Sequence, residues 1–308
     1  MRIAILDFGT NTFNLLIAET SDEQKLRIIH SSKEPARLGQ GGINNGTITP
    51  EAFQRGLTAI EKHFEKIKIF EAEKVYAYAT SAIREAKNGK EFSREVDRRF
   101  GLYVNIIPGE REAELIYKGV RQSLTLTQKK VLILDIGGGS NEFIIADHNA
   151  IYWKYSFDLG MARLLDMFTP SDPVTEDEVL NIEAFLEQKM GPLFDAIREY
   201  HPTELVGASG SFETFFALLA YQIPARYKLN GSHAHDISID DYTLLHERLL
   251  RSTTNDRSKM EGMEPVRIDM IVLATIFVNF TIRKCGIHKI IQSDFALKEG
   301  VIAEILNI

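Results

Sequence analysis

Residues 3–18 read IAILDFGTNTFNLLIA, and residues 131–146 read VLILDIGGGSNEFIIA. Each stretch consists of an apolar run, an aspartate, a turn of glycine and small polar residues, and a second apolar run. Asp7 and Asp135 occupy the same place in the two copies. The repeat predicts two similar domain halves, each of which contributes one phosphate-binding turn to a cleft between them.

The residue types in the repeat explain this prediction. Ile3–Leu6 and Val131–Leu134 are rich in β-branched and apolar residues, which is typical of buried strands. Glycine in the turn permits a positive φ and removes the Cβ that keeps a ligand from the backbone. The exposed N–H groups of such a turn form an anion-binding concavity. Two ordinary β-hairpins with glycine turns are the structural alternative, which explains a single copy more easily than two matched ones.

Two further segments support a phosphate site. Leu205–Ser211 reads LVGASGS and precedes a stretch with helical spacing at Phe212–Tyr221. This order predicts a strand, a small-residue turn and a helix N-terminus, where anions are favoured. Ile291–Gly300 reads IQSDFALKEG and precedes an amphipathic helix.

Taken in order along the chain, these motifs resemble the exopolyphosphatase / guanosine pentaphosphate phosphatase family of the actin–sugar kinase–chaperone ATPase superfamily. The motifs are DFGTN (7–11), ATSAIREAKN (79–88), PGEREAELIY (108–117), LDIGGGSNE (134–142), GASGS (207–211) and SDFALKEG (293–300). The resemblance covers essentially the whole chain. It implies an α/β fold of two ribonuclease H-like (actin-like ATPase) domains with an interdomain cleft. We expect the domains at 1–124 and 125–308, with the last helix packing back on the first domain.

The resemblance also assigns roles to single positions. Glu112, followed by Ala113, matches the general base of the family. Asp135 and Glu142, with Asp7 from the first turn, match the acids that hold Mg²⁺ or another divalent cation. The substrate-binding positions that it implies are Asp7, Gly9, Thr10, Asn11, Arg84, Gly137, Gly138, Gly139, Ser140, Ser209, Gly210, Ser211 and Arg267. Small departures from the family pattern (Thr10, Asn141, Ser211 and Phe295) bear on substrate preference more than on phosphatase chemistry.

The same residue types fit hydrolysis of a phosphoanhydride on chemical grounds. That reaction needs a water in line with the leaving group, neutralised phosphoryl oxygens and little covalent help. A carboxylate can accept the proton of the water, and arginine binds two phosphate oxygens at once. Structural roles are the alternative: Glu112 lies in the charged run Glu110–Glu114, Arg84 has Glu85 and Glu91 nearby, and Arg267 has Glu264.

We therefore expect a phosphohydrolase that releases terminal phosphate from inorganic polyphosphate, guanosine pentaphosphate or both. Two other functions stay open at this point. One is an ATP-dependent phosphotransferase of the same superfamily, and the other is a sensor that binds guanosine polyphosphates with little turnover. A sensor needs no catalytic base, so the presence of Glu112, Asp135 and Glu142 in one chain counts against this function.

Composition agrees with a two-domain enzyme of 308 residues, 44% hydrophobic and 26% charged. The net charge of −7 provides no overall basic field for nucleic acid or an anionic membrane. A polyanionic substrate then needs a local basic cleft. Candidate residues for it are Lys33, Arg37, Arg84, Arg111, Arg163, Arg267 and Lys298.

The single cysteine, Cys285, excludes an internal disulfide and favours a reducing, cytoplasmic setting. We expect Cys285 to be a small buried residue. The first strand starts at residue 2 or 3, which leaves no room for a signal peptide. The apolar stretch Ile268–Ile282 is too short for a membrane span and predicts a core helix. The chain resembles the short, two-domain form of the family, and the sequence leaves a homodimer open.

Some local predictions concern loops and helix ends. The loop with Gly39, Gly41, Gly42 and Gly46 suits a flexible, exposed flap. Thr175 has the spacing of a capping box before a helix over 176–199. His233 and His235 form an H-x-H that could bind a metal ion, although a solvated or helix-capping role in a Gly/Ser-rich loop is the interpretation we favour.

Overall fold

The computed structural model describes residues 1–20, 26–228 and 231–308, and its strands form two mixed β-sheets. The first sheet contains β1 (Arg2–Phe8), β2 (Thr12–Thr20), β3 (Leu26–Pro35), β4 (Lys74–Ala79) and β5 (Val104–Ile106). The second contains β6 (Val131–Ile136), β7 (Asn141–Ala146), β8 (Ile151–Phe157), β9 (Glu204–Ala208), β10 (Ala234–Ile237) and β11 (Lys289–Ser293). The strand orders are β3-β2-β1-β4-β5 and β10-β11-β9-β6-β7-β8.

The sequence repeat is a repeat of topology. β1, β2 and β3 form an antiparallel meander, and β4 then pairs in parallel with β1. β6, β7 and β8 form the same meander, and β9 pairs in parallel with β6. The register agrees as well, since Asp7 lies opposite Asn14 and Asp135 lies opposite Glu142. The predicted α/β fold with two similar halves is confirmed.

Twelve α-helices, within the described residues, connect and cover the strands. They are α1 (Pro50–Ile69), α2 (Ser81–Glu85), α3 (Gly89–Phe100), α4 (Gly109–Ser123), α5 (Met161–Phe168), α6 (Glu176–Lys189), α7 (Gly191–Tyr200), α8 (Gly210–Gln222), α9 (Ile239–Leu250), α10 (Thr254–Ser258), α11 (Ile271–Cys285) and α12 (Leu297–Leu306). Short 3₁₀ helices occur at Ile43–Asn45 and Pro265–Arg267.

The halves share part of their core. One apolar cluster belongs to the first half and one to the second, whereas a third contains residues of both sheets together with α4 and α12. In this shared cluster Ile5 of β1 and Ile133 of β6 are both fully buried, as is Ile302 of α12. The two helices therefore join the halves, and the first turn of each reaches the cleft that the sheets enclose.

Glycines permit α4 and α12 to approach very closely. A Cβ on Gly119 would lie 1.8 Å from the carbonyl oxygen of Ala296, and a Cβ on Gly300 would lie 1.7 Å from that of Leu115. No side chain fits at either distance without moving the helices apart. Glu304 of α12 adds ion pairs with Arg111 and, at 2.6 Å, with Lys118 of α4.

The structure corrects two of the local predictions. The helix predicted over 176–199 is two helices, because α6 ends at Lys189 and Pro192, which lacks an N–H and clashes inside a helix, lies in the first turn of α7. The loop after β3 is not a fully exposed flap. Ile43 is buried in a 3₁₀ turn, and the Leu38 N–H donates to the Thr10 carbonyl at 2.7 Å.

Other local predictions are confirmed. Thr175 forms a capping box with Glu178, and Ile271–Cys285 is a core helix with most of its residues buried. Cys285 is buried, and burial raises the pKa of its thiol to about 12. In the ranges that the structure describes, no helix is both long and apolar enough to cross a membrane. We propose the domain division at 124/125, between α4 and β6.

A small side chain between α4 and α12 tests this packing. We expect Gly119→Ala to lower the free energy of unfolding by about 1–3 kcal/mol, since overpacking outweighs the gain in helix propensity. Gly191→Ala is the matched control, because a Cβ there meets nothing within 4 Å. Thermal denaturation followed by circular dichroism measures both. Equal melting temperatures for the two variants would contradict the packing.

Candidate active site

A cleft between the sheets lies at the carboxyl ends of parallel strands from both halves, the usual place for ligands in α/β folds. β1 leads into the turn Gly9–Asn11, β6 into the turn Gly137–Ser140, and β9 into Ser209 and α8. Most predicted site residues line this cleft. They are Asp7, Gly9, Thr10, Asn11, Glu112, Asp135, Gly137, Gly138, Gly139, Ser140, Ser209, Gly210 and Arg267.

Three predicted residues lie behind the lining. Ser211 is buried in the first turn of α8 and is 1% exposed. Glu142 is also 1% exposed, and its Oε1 accepts a hydrogen bond from Ser156 Oγ at 2.7 Å. Arg84 lies beside Glu112, to which it donates a hydrogen bond. Contact with a substrate therefore depends on the residues in front of them.

The glycines of the two repeated turns are explained by close packing and not by an unusual backbone conformation. Gly9 and the glycines at 137–139 are not among the residues with positive φ, so these turns do not use the positive φ that glycine permits. A Cβ on Gly9 or Gly137 would meet a carbonyl oxygen of its own turn, whereas close packing between the halves explains Gly138 and Gly139. A Cβ on Gly138 would lie 2.5 Å from Asn11 Nδ2, and one on Gly139 would lie 2.3 Å from Ser81 Oγ. The two turns thus meet across the cleft.

The third turn does contain a left-handed residue. Ser209 has φ 73°, a conformation that favours glycine, and it joins β9 to the N-terminus of α8. A Cβ on the next residue, Gly210, would lie 2.0 Å from Arg267 Nη2. The guanidinium of Arg267 therefore packs directly on the start of α8, where backbone N–H groups favour an anion.

Glu112 lies in the first turn of α4 and is 8% exposed. Arg84 Nη1 donates to Glu112 Oε2 at 2.9 Å and to the Ile107 carbonyl at 3.2 Å. Burial, and then repulsion by Glu142, raise the pKa of Glu112 well above its ordinary value, although Arg84 opposes the rise. The carboxylate is held in one orientation and is more basic than an exposed glutamate, as a general base requires.

The structural alternatives for the two arginines hold only in part. Arg84 does contact Glu85, at 3.4 Å, but its shorter bond is to Glu112. Arg267 lies 3.7 Å from Glu264, beyond hydrogen-bond distance, and its side chain is 10% exposed. Both arginines are therefore largely buried at the cleft, not solvated surface residues.

The carboxylates near Glu112 also have raised pKa values. Burial, followed by the charge of Asp7, raises the pKa of Asp135 to about 6, against a hydrogen bond from Ser209. Burial and the charge of Asp135 raise the pKa of Glu142 to about 7. Burial also raises the pKa of Asp7, whose Oδ2 accepts a hydrogen bond from Asn14 at 2.9 Å. A cation in the cleft would relieve this repulsion.

The donor set fits a hard divalent cation. Asp7 and Asp135 present carboxylate oxygens from the two repeated hairpins, and their charges interact. Among the described residues, no group of three His, Cys, Asp or Glu side chains is arranged to hold an ion alone. Mg²⁺ needs only one or two carboxylates, since water and substrate phosphates complete its coordination. The described residues therefore do not bring Asp7, Asp135 and Glu142 together as a three-ligand site, and the assignment of these acids to a metal ion stays a prediction.

The H-x-H motif has a structural explanation. His235 belongs to β10, not to a loop, is 9% exposed and stacks on Phe216 with ring centroids 4.2 Å apart. His233 stacks on Phe295 and contacts Asp294 at 3.4 Å. The solvated-loop interpretation is wrong for His235.

The cleft also contains two lysines of the predicted basic set and two residues to which the sequence assigned no role. Lys33 and Lys298 line it, as do Asn14 and Glu213, whereas Arg37, Arg111 and Arg163 from the predicted basic set do not. Lys298 lies in the motif SDFALKEG, so the sequence already placed it near the site. No motif pointed to Glu213, because its partner Lys33 lies in β3 of the other half, 180 positions away.

Comparison with known proteins agrees with this geometry. The family model described as the Ppx/GppA phosphatase family matches residues 16–307. Exopolyphosphatase 2 of Mycobacterium tuberculosis is 29% identical in an alignment of 316 positions, gaps included, that covers 97% of each protein. The crystal structure of an exopolyphosphatase from Cytophaga hutchinsonii has 34% identity and a TM-score of 0.96, covering 100% of this chain and 98% of that one. The Aquifex aeolicus member of the Ppx/GppA family has 28% identity and a TM-score of 0.80, with coverage of 100% and 98%.

The repulsion among the acids predicts a stabilising substitution. Glu142 has an ordinary pKa in the unfolded chain and a pKa of about 7 in the fold. The folded state therefore loses stability relative to the unfolded chain as the pH rises between these two pKa values. Glu142→Gln should therefore raise the free energy of unfolding at pH ~8 by about 1–3 kcal/mol, and by much less at pH ~5. Thermal denaturation in metal-free buffer at both pH values measures this.

Glu178→Gln is a control of opposite sign. Hydrogen bonds from the backbone of Thr175 and Ser171 lower the pKa of Glu178 to about 2, so this variant should lose stability at pH ~8. If Glu142→Gln is destabilised equally at both pH values, repulsion does not govern the acid cluster.

Proposed function

Since the chain belongs to the Ppx/GppA phosphatase family, we propose that it is a phosphohydrolase that removes the terminal phosphate of inorganic polyphosphate by attack of water. The names of its relatives support polyphosphate as the substrate class. The observation that carries the proposal is Glu112, a buried carboxylate of raised pKa that Arg84 orients at the wall of the cleft.

Glu112 accepts the proton of the attacking water. Its raised pKa makes it a better proton acceptor, and the bond from Arg84 Nη1 fixes the position of its carboxylate. Burial keeps bulk water from competing for this group. Phosphoryl transfer passes through a loose transition state, so its catalysis depends on positioning more than on covalent bonds to the protein.

The turns and Arg267 hold the phosphate chain. Gly210 and Thr10 line the cleft, where the N–H at the start of α8 and the threonine hydroxyl suit phosphate oxygens. Arg267 lines the cleft, and its buried Nε has no hydrogen-bond partner within the described residues, so no hydrogen-bonded ion pair there competes with a phosphate for the guanidinium. A planar guanidinium binds phosphate oxygens in pairs.

Asp7 and Asp135 would hold Mg²⁺, with Glu142 behind them. When bound, the ion supplies positive charge that neutralises the phosphoryl oxygens of the substrate. Asn14 keeps the Asp7 carboxylate in place through its hydrogen bond, and Ser156 does the same for Glu142. The ligand assignment is part of the proposal.

Guanosine pentaphosphate, the other substrate expected from the sequence, ends in the same anhydride and belongs in the same assay. A phosphotransferase would label an acceptor with phosphate from ATP. A sensor would bind without turnover and would not depend on Glu112. The family assignment favours neither of these two functions.

Phosphate release tests the proposal. We expect release from medium-chain polyphosphate with Mg²⁺ and a loss of about 10²–10⁴-fold in Glu112→Gln, as for removal of a general base. Guanosine pentaphosphate and ATP are assayed alongside. Glu110→Gln is the matched control, because Glu110 lies in the same helical turn but is exposed. Unchanged release from folded Glu112→Gln would refute the assignment of the base.

A further inference from the structure

An ion pair crosses the cleft between the two halves. Lys33 of β3 donates through its Nζ to the carboxylate of Glu213 in the first turn of α8, and at 3.1 Å to Glu264 Oε1. The side chains of Lys33 and Glu213 are 33% and 31% exposed, so water screens the pair. Lys33 and Glu213 both line the cleft that contains Glu112.

Two more cations lie near Glu213 and are only weakly paired. Arg267 is 8% exposed, its Nε has no hydrogen-bond partner in the described part of the chain, and its approach to Glu264 is 3.7 Å. The Lys298 side chain is 16% exposed, and its approach to Glu299 is 3.9 Å. Neither distance is that of a hydrogen-bonded ion pair.

All three cations act on the same carboxylate. Burial alone raises the pKa of Glu213, but the attraction of Lys33, then Lys298 and Arg267, outweighs it and the net pKa is lowered. Glu213 therefore stays ionised in a cleft whose turns are built for anions. Of the two carboxylates in this cluster, Glu264 pairs with Lys33 from the edge of the cleft, and Glu213 is the one on which all three cations act. The cluster therefore has the composition of an anion site that an internal carboxylate already fills.

We propose that Lys33, Arg267 and Lys298 form a second phosphate subsite of the cleft, that Glu213 is its internal counter-anion, and that a phosphate of the substrate chain displaces Glu213. The identity of the ligand as a phosphate chain rests on the proposed function. A phosphate offers more charge and more acceptor oxygens than the carboxylate, and Arg267 can bind two of them. Lys33 then holds the chain from the opposite half of the cleft.

The subsite has a consequence for substrate choice. A ligand with several phosphates can occupy the position beside Glu112 and displace Glu213 at the same time, whereas orthophosphate can occupy only one of them. Glu213 thereby disfavours short anions and leaves the cleft to chains. Removing its charge should strengthen binding of phosphate chains.

Binding to a protein that does not turn over tests the subsite. In Glu112→Gln, we expect added Glu213→Gln to lower the Kd for medium-chain polyphosphate about tenfold, and added Lys33→Met to raise it about tenfold. Isothermal titration calorimetry with Mg²⁺ present measures both. Glu183→Gln is the matched control, since it removes the same charge from an ion pair with Arg283 outside the cleft. Melting temperatures verify that each variant is folded.

The outcomes separate this proposal from the proposed function. Unchanged or weaker binding in Glu213→Gln overturns the counter-anion role, as does a higher Mg²⁺ requirement in that variant, which would make Glu213 a metal ligand. Absence of polyphosphate binding in every variant also overturns it. If the expected affinities are found but the parent protein releases no phosphate, the subsite stands and the hydrolase proposal fails. In the parent protein, Glu213→Gln should lower KM more than it changes kcat.

Discussion

The structure depends on holding the largely buried carboxylates of Asp7, Glu112, Asp135 and Glu142 at the cleft, three of them in its lining and Glu142 behind it. Burial raises the pKa of each, and repulsion by a neighbouring member of this group adds to the rise for Glu112, Asp135 and Glu142. Arg84 offsets part of this by its bond to Glu112, and Lys298 by its charge beside Asp7 and Asp135. Such an arrangement is unfavourable in the free protein, as is typical of a functional site, and the proposed ligands, a cation and a chain of phosphates, would offset its cost.

The scaffold that imposes this proximity is a duplicated hairpin joined by two helices. Asp7 faces Asn14 and Asp135 faces Glu142 at matching registers, so the halves differ by an amide in one and an acid in the other. The second half thus provides the larger negative charge. Gly119, packed against α12, allows α4 to lie close enough to place Glu112 in the cleft.

The sequence predicts the parts of this arrangement that are local. The repeated pattern predicts the hairpins and the position of their aspartates, and the capping-box spacing at Thr175 predicts the start of a helix. Glu112 is different, because it lies in a charged run and only the family resemblance singled it out; its bond to Arg84, from another element, forms only in the fold. Lys33 and Glu213 could not be paired from sequence, since their contact forms only when both halves are folded. The break between α6 and α7 at Pro192 was visible in the sequence, but helical spacing on both sides obscured it.

The attack of water on the terminal phosphorus is the central claim, and hydrolysis in water enriched in oxygen-18 tests it most directly. Medium-chain polyphosphate is incubated with the protein and Mg²⁺, and the products of the first turnovers are analysed by mass spectrometry and chain-length electrophoresis. The account predicts a solvent oxygen in each released orthophosphate and chains that shorten by single units. Unlabelled orthophosphate, cleavage within the chain or transfer of phosphate to an acceptor would contradict it.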